Sequence, residues 1–248
     1  MIILSILFFI TAILYSSVGF GGGSTYLALL LIWEIPYYIL PVIALLCNII
    51  VVSGNSVNYI RAGNYNLKLL YPFLIGSIPF AFFGGSLEIE KDIFEVILFF
   101  VLLIAGTLLL SNNKSYKYDD VIIRKLNFLI TFFIGSVLGL ISGIVGIGGG
   151  IFLSPILFLL QAERPKVIAT TASLFILINS ISGVLGQFSK EIVTDNLIIH
   201  WPLFFCVLIG GFIGNYLNLK IFSNRVLTVM TSLLVIFVAI RMGLRTFF

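Results

Sequence analysis

Apolar residues run almost without interruption along this chain of 248 residues, separated by short stretches marked by polar residues, proline or glycine. A helix needs roughly 20 residues to cross about 30 Å of hydrocarbon. Seven runs are long enough, near residues 37–60, 67–87, 93–111, 126–145, 166–187, 197–219 and 226–247. Another apolar run, Ile2 to Val18, lacks a basic segment ahead of it, and its pattern recurs mid-chain. It reads as part of the mature protein rather than as a signal peptide. Two further runs, 24–33 and 150–161, would reach only about 15 to 18 Å as helices. Each follows a glycine cluster and is followed by a proline, Pro36 or Pro165.

Composition turns this pattern into a class. With 60% hydrophobic and 10% charged residues and a mean hydropathy of +1.20, the chain has too little polar surface to cover a soluble globule. It reads as an all-α integral membrane protein in contact with the lipid bilayer. The net charge of +4 does not point to nucleic acid, because the basic residues are scattered through short loops rather than gathered into a patch. Cys47 and Cys206 lie in separate apolar runs without a CxxC or a histidine nearby, so neither a disulfide framework nor a metal site is indicated, and both read as buried thiols. No P-loop, HExxH or GxSxG motif is present, and the reading is of a protein that is not an enzyme and needs no cofactor.

The chain also repeats itself. At an offset of 127 residues, "VGFGGG" at Val18 to Gly23 aligns with "VGIGGG" at Val145 to Gly150. Further on, Ser53 and Gly54 meet Ser182 and Gly183, while Pro72 and Gly84 meet Pro202 and Gly214. A duplication accounts for this. The expected organisation is a first transmembrane repeat at 1–111, a polar linker at 112–125 and a second repeat at 126–248. Each repeat would hold a glycine-broken or re-entrant helix pair and three spanning helices. With that parity, Lys91, Lys190, Arg241 and Arg245 fall on one side of the membrane and the other ten of the 14 Lys and Arg on the opposite side. The positive-inside rule then predicts inverted-topology repeats with both termini outside, and a bacterial plasma membrane is the expected location.

Glycine costs helix stability, and lipid punishes unpaired backbone, so clusters of glycine inside apolar runs need a reason. Discontinuous helices in inverted-repeat transporters bring half-helix N-termini to the midplane, where their free N–H groups face an anion. Gly21, Gly22, Gly23 and Ser24, with Gly148, Gly149 and Gly150, are positioned for that role. The plainer alternative is close helix packing, although packing motifs usually space small residues by four. Asn48 and Asn55 share a helix face, and Thr171, Ser173 and Asn179 lie in the equivalent helix of the second half. They could line a hydrogen-bonding cavity around an oxyanion, or serve as glue between helices.

The paired "VGFGGGS" and "VGIGGGIFLSP" segments, one opening each half, resemble the TauE/SafE family of membrane transporters. The resemblance covers essentially the whole chain. It implies a transporter, and a small anionic substrate such as sulfite or an organosulfonate, moved outward from the cytoplasm. Ser24 has Ile151 as its counterpart, so any hydroxyl contact at that point would come from one half only. No Asp, Glu, Lys or Arg lies in the centre of a long run, and no carboxylate proton relay is visible. An inside-negative potential drives each negative charge outward by about 2.3 kcal/mol per 100 mV, so export needs no coupled ion. The alternative is a transporter or channel for a different small solute or a cation, coordinated by carbonyls and the Asn and Ser side chains.

Overall fold

Glycine and proline divide the apolar sequence into helices at definite points. In the computed structural model, residues 1–111, 124, 126–190 and 197–217 are described, together with 233, 235–237, 239–240 and 243–244. Most of the linker at 112–125 and most of the run at 226–247 lie outside the described residues. The helices are α1 (Ile2–Val18), α2 (Gly23–Ile32), α3 (Leu40–Arg61), α4 (Leu67–Ser86), α5 (Lys91–Ser111), α6 (Phe128–Val145), α7 (Gly150–Leu159), α8 (Pro165–Gln187) and α9 (Trp201–Leu217). No strand occurs among the described residues. By length and composition α3, α4, α6, α8 and α9 with its preceding turn can cross a membrane, whereas α2 and α7 have 10 residues each and cannot.

The helix ends repeat as the sequence does. Gly19 and Gly146 close α1 and α6 in the left-handed conformation, with φ of 92° and 90°. Gly22 and Gly149 precede α2 and α7 with φ of 82° and 77°. Only glycine takes these angles freely, so both breaks are written into the sequence. The far ends of the short helices match as well. Glu34 and Gln161, again 127 apart, have φ of 55° and 50°, and the next residues bond back, Ile35 N to Leu30 O at 3.1 Å and Ala162 N to Leu157 O at 3.0 Å.

Missing side chains set the helix pairings. On α6, Gly135, Gly139 and Gly143 lie against Phe73, Ser77 and Ala81 of α4 in ascending order, so these helices run parallel and nearly touch. A Cβ on Gly139 would stand 2.7 Å from Ser77 Cα. On α9, Gly210 meets Phe9 and Gly214 meets Ile13, so α9 runs parallel to α1. It also runs parallel to α3, through Gly211 beside Val51 and Asn58 bonded to Asn215 at 3.1 Å. The Ser182 hydroxyl donates to Ile78 O at 2.6 Å, and Gly186 packs on Phe82, which fixes α8 parallel to α4. At the centre α3 and α8 cross antiparallel: Leu45 meets Gly183, and Ser56 Oγ lies 3.3 Å from Ser173 Oγ. Thus α1, α3 and α9 point one way and α4, α6 and α8 the other.

The core follows from this crossing. Phe8, Tyr26, Leu27, Leu40, Ile43, Phe73, Leu98 and Phe175 are fully buried, and Phe8 packs on Tyr26 with ring centroids 4.8 Å apart. Ile2, Phe83, Leu129, Phe133, Phe212 and Tyr216 face outward, as residues of a membrane protein do toward lipid.

Candidate functional site

Both helix breaks lie beside the middles of α3 and α8, and a single side chain lies against both of them. Asn48, fully buried on α3, donates from Nδ2 to the Ile147 carbonyl at 3.1 Å, which is a bond between positions 99 apart in sequence. A Cβ on Gly21 would clash with its Oδ1, a Cβ on Gly23 would lie 2.6 Å from Nδ2, and one on Gly148 would lie 2.9 Å from Nδ2. Gly23 also packs on Ile147 O, with 2.8 Å between that oxygen and a built Cβ. Asn48 therefore braces the second break from the helix that follows the first.

The backbone around Asn48 is rich in donors. The first hydrogen bonds of α2 run from Thr25 N and Tyr26 N to Gly22 O, at 2.9 and 3.0 Å. Those of α7 run from Phe152 N and Leu153 N to Gly149 O, at 3.2 and 3.1 Å. The N–H groups of Gly21 to Ser24 and of Gly148 to Ile151 meet no acceptor among the described residues. Helix starts leave such donors by construction. Here they are buried beside the middles of two helices long and apolar enough to cross a membrane, where each costs about 1 to 3 kcal/mol while unmet. The Gly21 and Gly148 surroundings are completed by Ile176 and, at Gly148, by Ser180. Gly149 abuts Phe175, Gly150 abuts Ile176, and Gly22 abuts Tyr15 and Tyr26.

The other candidates divide by what their polar atoms already do. Thr171 Oγ1 donates to Val167 O in its own helix at 2.8 Å, and Ser173 pairs with Ser56. Asn179 Nδ2 donates to Phe175 O at 2.9 Å, which leaves its Oδ1 without a partner. Asn55 is buried with Nδ2 unpartnered, and Ser24 is buried in the first turn of α2. Ser142, Ser154, Ser180 and Tyr26 also hold buried hydroxyls with no partner among the described residues. Among the described residues no group of three or more His, Cys, Asp or Glu could hold a metal ion.

Two contributors escaped the sequence reading. Ile176 packs on three of the break glycines, and an aliphatic residue in an apolar helix gives no signal of that. Gln187 donates to Gly143 O at 2.8 Å and accepts from Lys190 Nζ at 3.1 Å, linking the end of α8 to α6 near its break. Burial lowers the Lys190 pKa by disfavouring its charged form, and Glu88 partly offsets this.

Helices long and apolar enough to cross a membrane, together with the family match, give the class: an integral membrane protein that transports a small solute. The chain belongs to the sulfite exporter TauE/SafE family, whose profile matches residues 4–242. It is 26% identical over 232 residues to a probable membrane transporter protein of Sinorhizobium fredii, covering 93% of each chain. It is 29% identical over 198 residues to a probable membrane transporter protein of Methanocaldococcus jannaschii, covering 76% of this chain and 73% of the relative. No solved structure gives a significant match.

Proposed function

We propose that this transporter exports a small sulfur-containing anion, sulfite or an organosulfonate, from the cytoplasm of a bacterium through alternating access of two inverted repeats. The observation that carries the reading is the pair of matched helix breaks, whose eight N–H groups meet no acceptor among the described residues and which Asn48 joins through Gly21, Gly23 and Gly148. Donors fixed at half-helix N-termini stabilise negative charge without a lysine or arginine. The family's description as a sulfite exporter supports the cargo. The opposite directions of α3 and α8, with the helix ends repeated at 127 residues, support inverted repeats. Rocking of one repeat against the other would carry the bound anion from the inner to the outer face. The membrane potential alone drives the net flux.

A buried amide oxygen at the breaks without a partner among the described residues, Asn48 Oδ1, favours a second reading in which a cation occupies the same position. Thermal stability of the detergent-purified chain separates the two. It would be measured against sulfite, sulfate, thiosulfate, sulfoacetate, taurine and chloride, with sodium and divalent cations alongside. A concentration-dependent rise with a sulfur oxyanion is expected. A rise with cations alone would replace the anion reading by the second one.

A further inference from the structure

The break region mixes two polarities that a simple oxyanion does not satisfy together. On one side are the N–H donors of Gly21 to Ser24 and Gly148 to Ile151. Beside Gly21 and Gly23 stands Oδ1 of the fully buried Asn48, an acceptor that has no partner among the described residues. The amide cannot simply turn over. Nδ2 is held by Ile147 O, and exchanging the two ends would set two oxygens face to face. Asn179, whose Nδ2 donates to Phe175 O one turn back in its own helix, likewise has an Oδ1 without a partner among the described residues. A fully deprotonated oxyanion presents acceptors on every side. It would meet the N–H groups and leave Asn48 Oδ1 facing another oxygen, a buried polar atom both unsatisfied and repelled.

From this juxtaposition of fixed backbone donors and a fixed side-chain acceptor, resting on the anion reading above, we infer that the cargo is an anion that itself carries a hydrogen-bond donor. A hydroxyl, an amino group or a protonated oxygen beside the charged oxygens would meet Asn48 Oδ1 while those oxygens take the backbone N–H groups. The site selects for donor-bearing monoanions over donor-free ones of the same size and charge.

Sulfamate and methanesulfonate test this directly. Both are monoanions with three sulfonyl oxygens and nearly the same size, and they differ in carrying an amino or a methyl group. Titration calorimetry on the full detergent-purified chain should show sulfamate binding at least about tenfold more tightly. In Asn48→Leu the ratio should fall to near one, with the loss borne by sulfamate. Equal binding of the two anions by the unmutated chain, as expected if water alone satisfies Asn48, would overturn the donor inference and leave the anion reading standing. A ratio that survives Asn48→Leu would overturn it too, since another group would then be the acceptor. Binding of neither anion would overturn the anion reading and this inference with it. Should Asn48→Leu fail to fold, the ratio for the unmutated chain decides alone.

Discussion

A buried asparagine shows what a single position can and cannot reveal. Asn48 and Asn55 are legible as polar residues on one face of an apolar helix, and both are buried in α3. That Asn48 reaches Ile147 in the other half is not legible, because the bond depends on how α3 packs rather than on local pattern. Thr171 is equally legible as a polar residue in an apolar helix, yet its hydroxyl bonds within its own helix, as threonine in helices commonly does. Asn48→Ala should therefore lower stability by about 1 to 3 kcal/mol through the orphaned Ile147 carbonyl. Ser53→Ala, which loses only a bond to Ile49 O in its own helix, should change the melting temperature far less. At the breaks, Gly22→Val and Gly149→Val force a branched side chain into φ of 82° and 77°. Circular dichroism should show both variants helical, and both should lose the anion-dependent rise in melting temperature.

The elements were largely readable. The first helix, the two breaks and the two short helices lie within a residue or two of the boundaries that glycine, proline and run length indicate. These signals are covalent and local, and they hold whatever the neighbours do. The glycine rows of α4, α6 and α9 are visible in the sequence too, but their partners are not. Gly139→Leu drives a side chain into the α4 backbone at Ser77, where nothing flexible can yield. It should abolish the monodisperse detergent-solubilised protein on size-exclusion chromatography. Val137→Leu, two residues away at a partly exposed position, should elute as the unmutated chain does.

For the whole molecule, the basic-residue distribution bears on how the halves face the membrane, whereas no local pattern specifies which helix lies on which. If transport requires α3 and α8 to move against each other, a bond between them should stop it. Cysteines at Ser56 and Ser173, whose hydroxyl oxygens are 3.3 Å apart, should form a disulfide in a Cys47→Ala/Cys206→Ala background. Vesicles carrying the oxidised protein should lose anion efflux by at least about tenfold and regain it with a reductant, while anion-dependent thermal stabilisation persists. Undiminished efflux from the oxidised form would mean that this pair moves as one body.

The first helix of each half rests on the fourth helix of the other, α1 on α9 and α6 on α4. During synthesis, α1 and α4 enter the bilayer long before their partners exist, with faces shaped for helices still on the ribosome. Neither half can complete its own packing, so the nascent protein must wait in lipid with those faces of α1 and α4 uncovered. A chain divided within 112–125 should consequently yield no stable product from either fragment alone, and should recover when both fragments are made in the same cell.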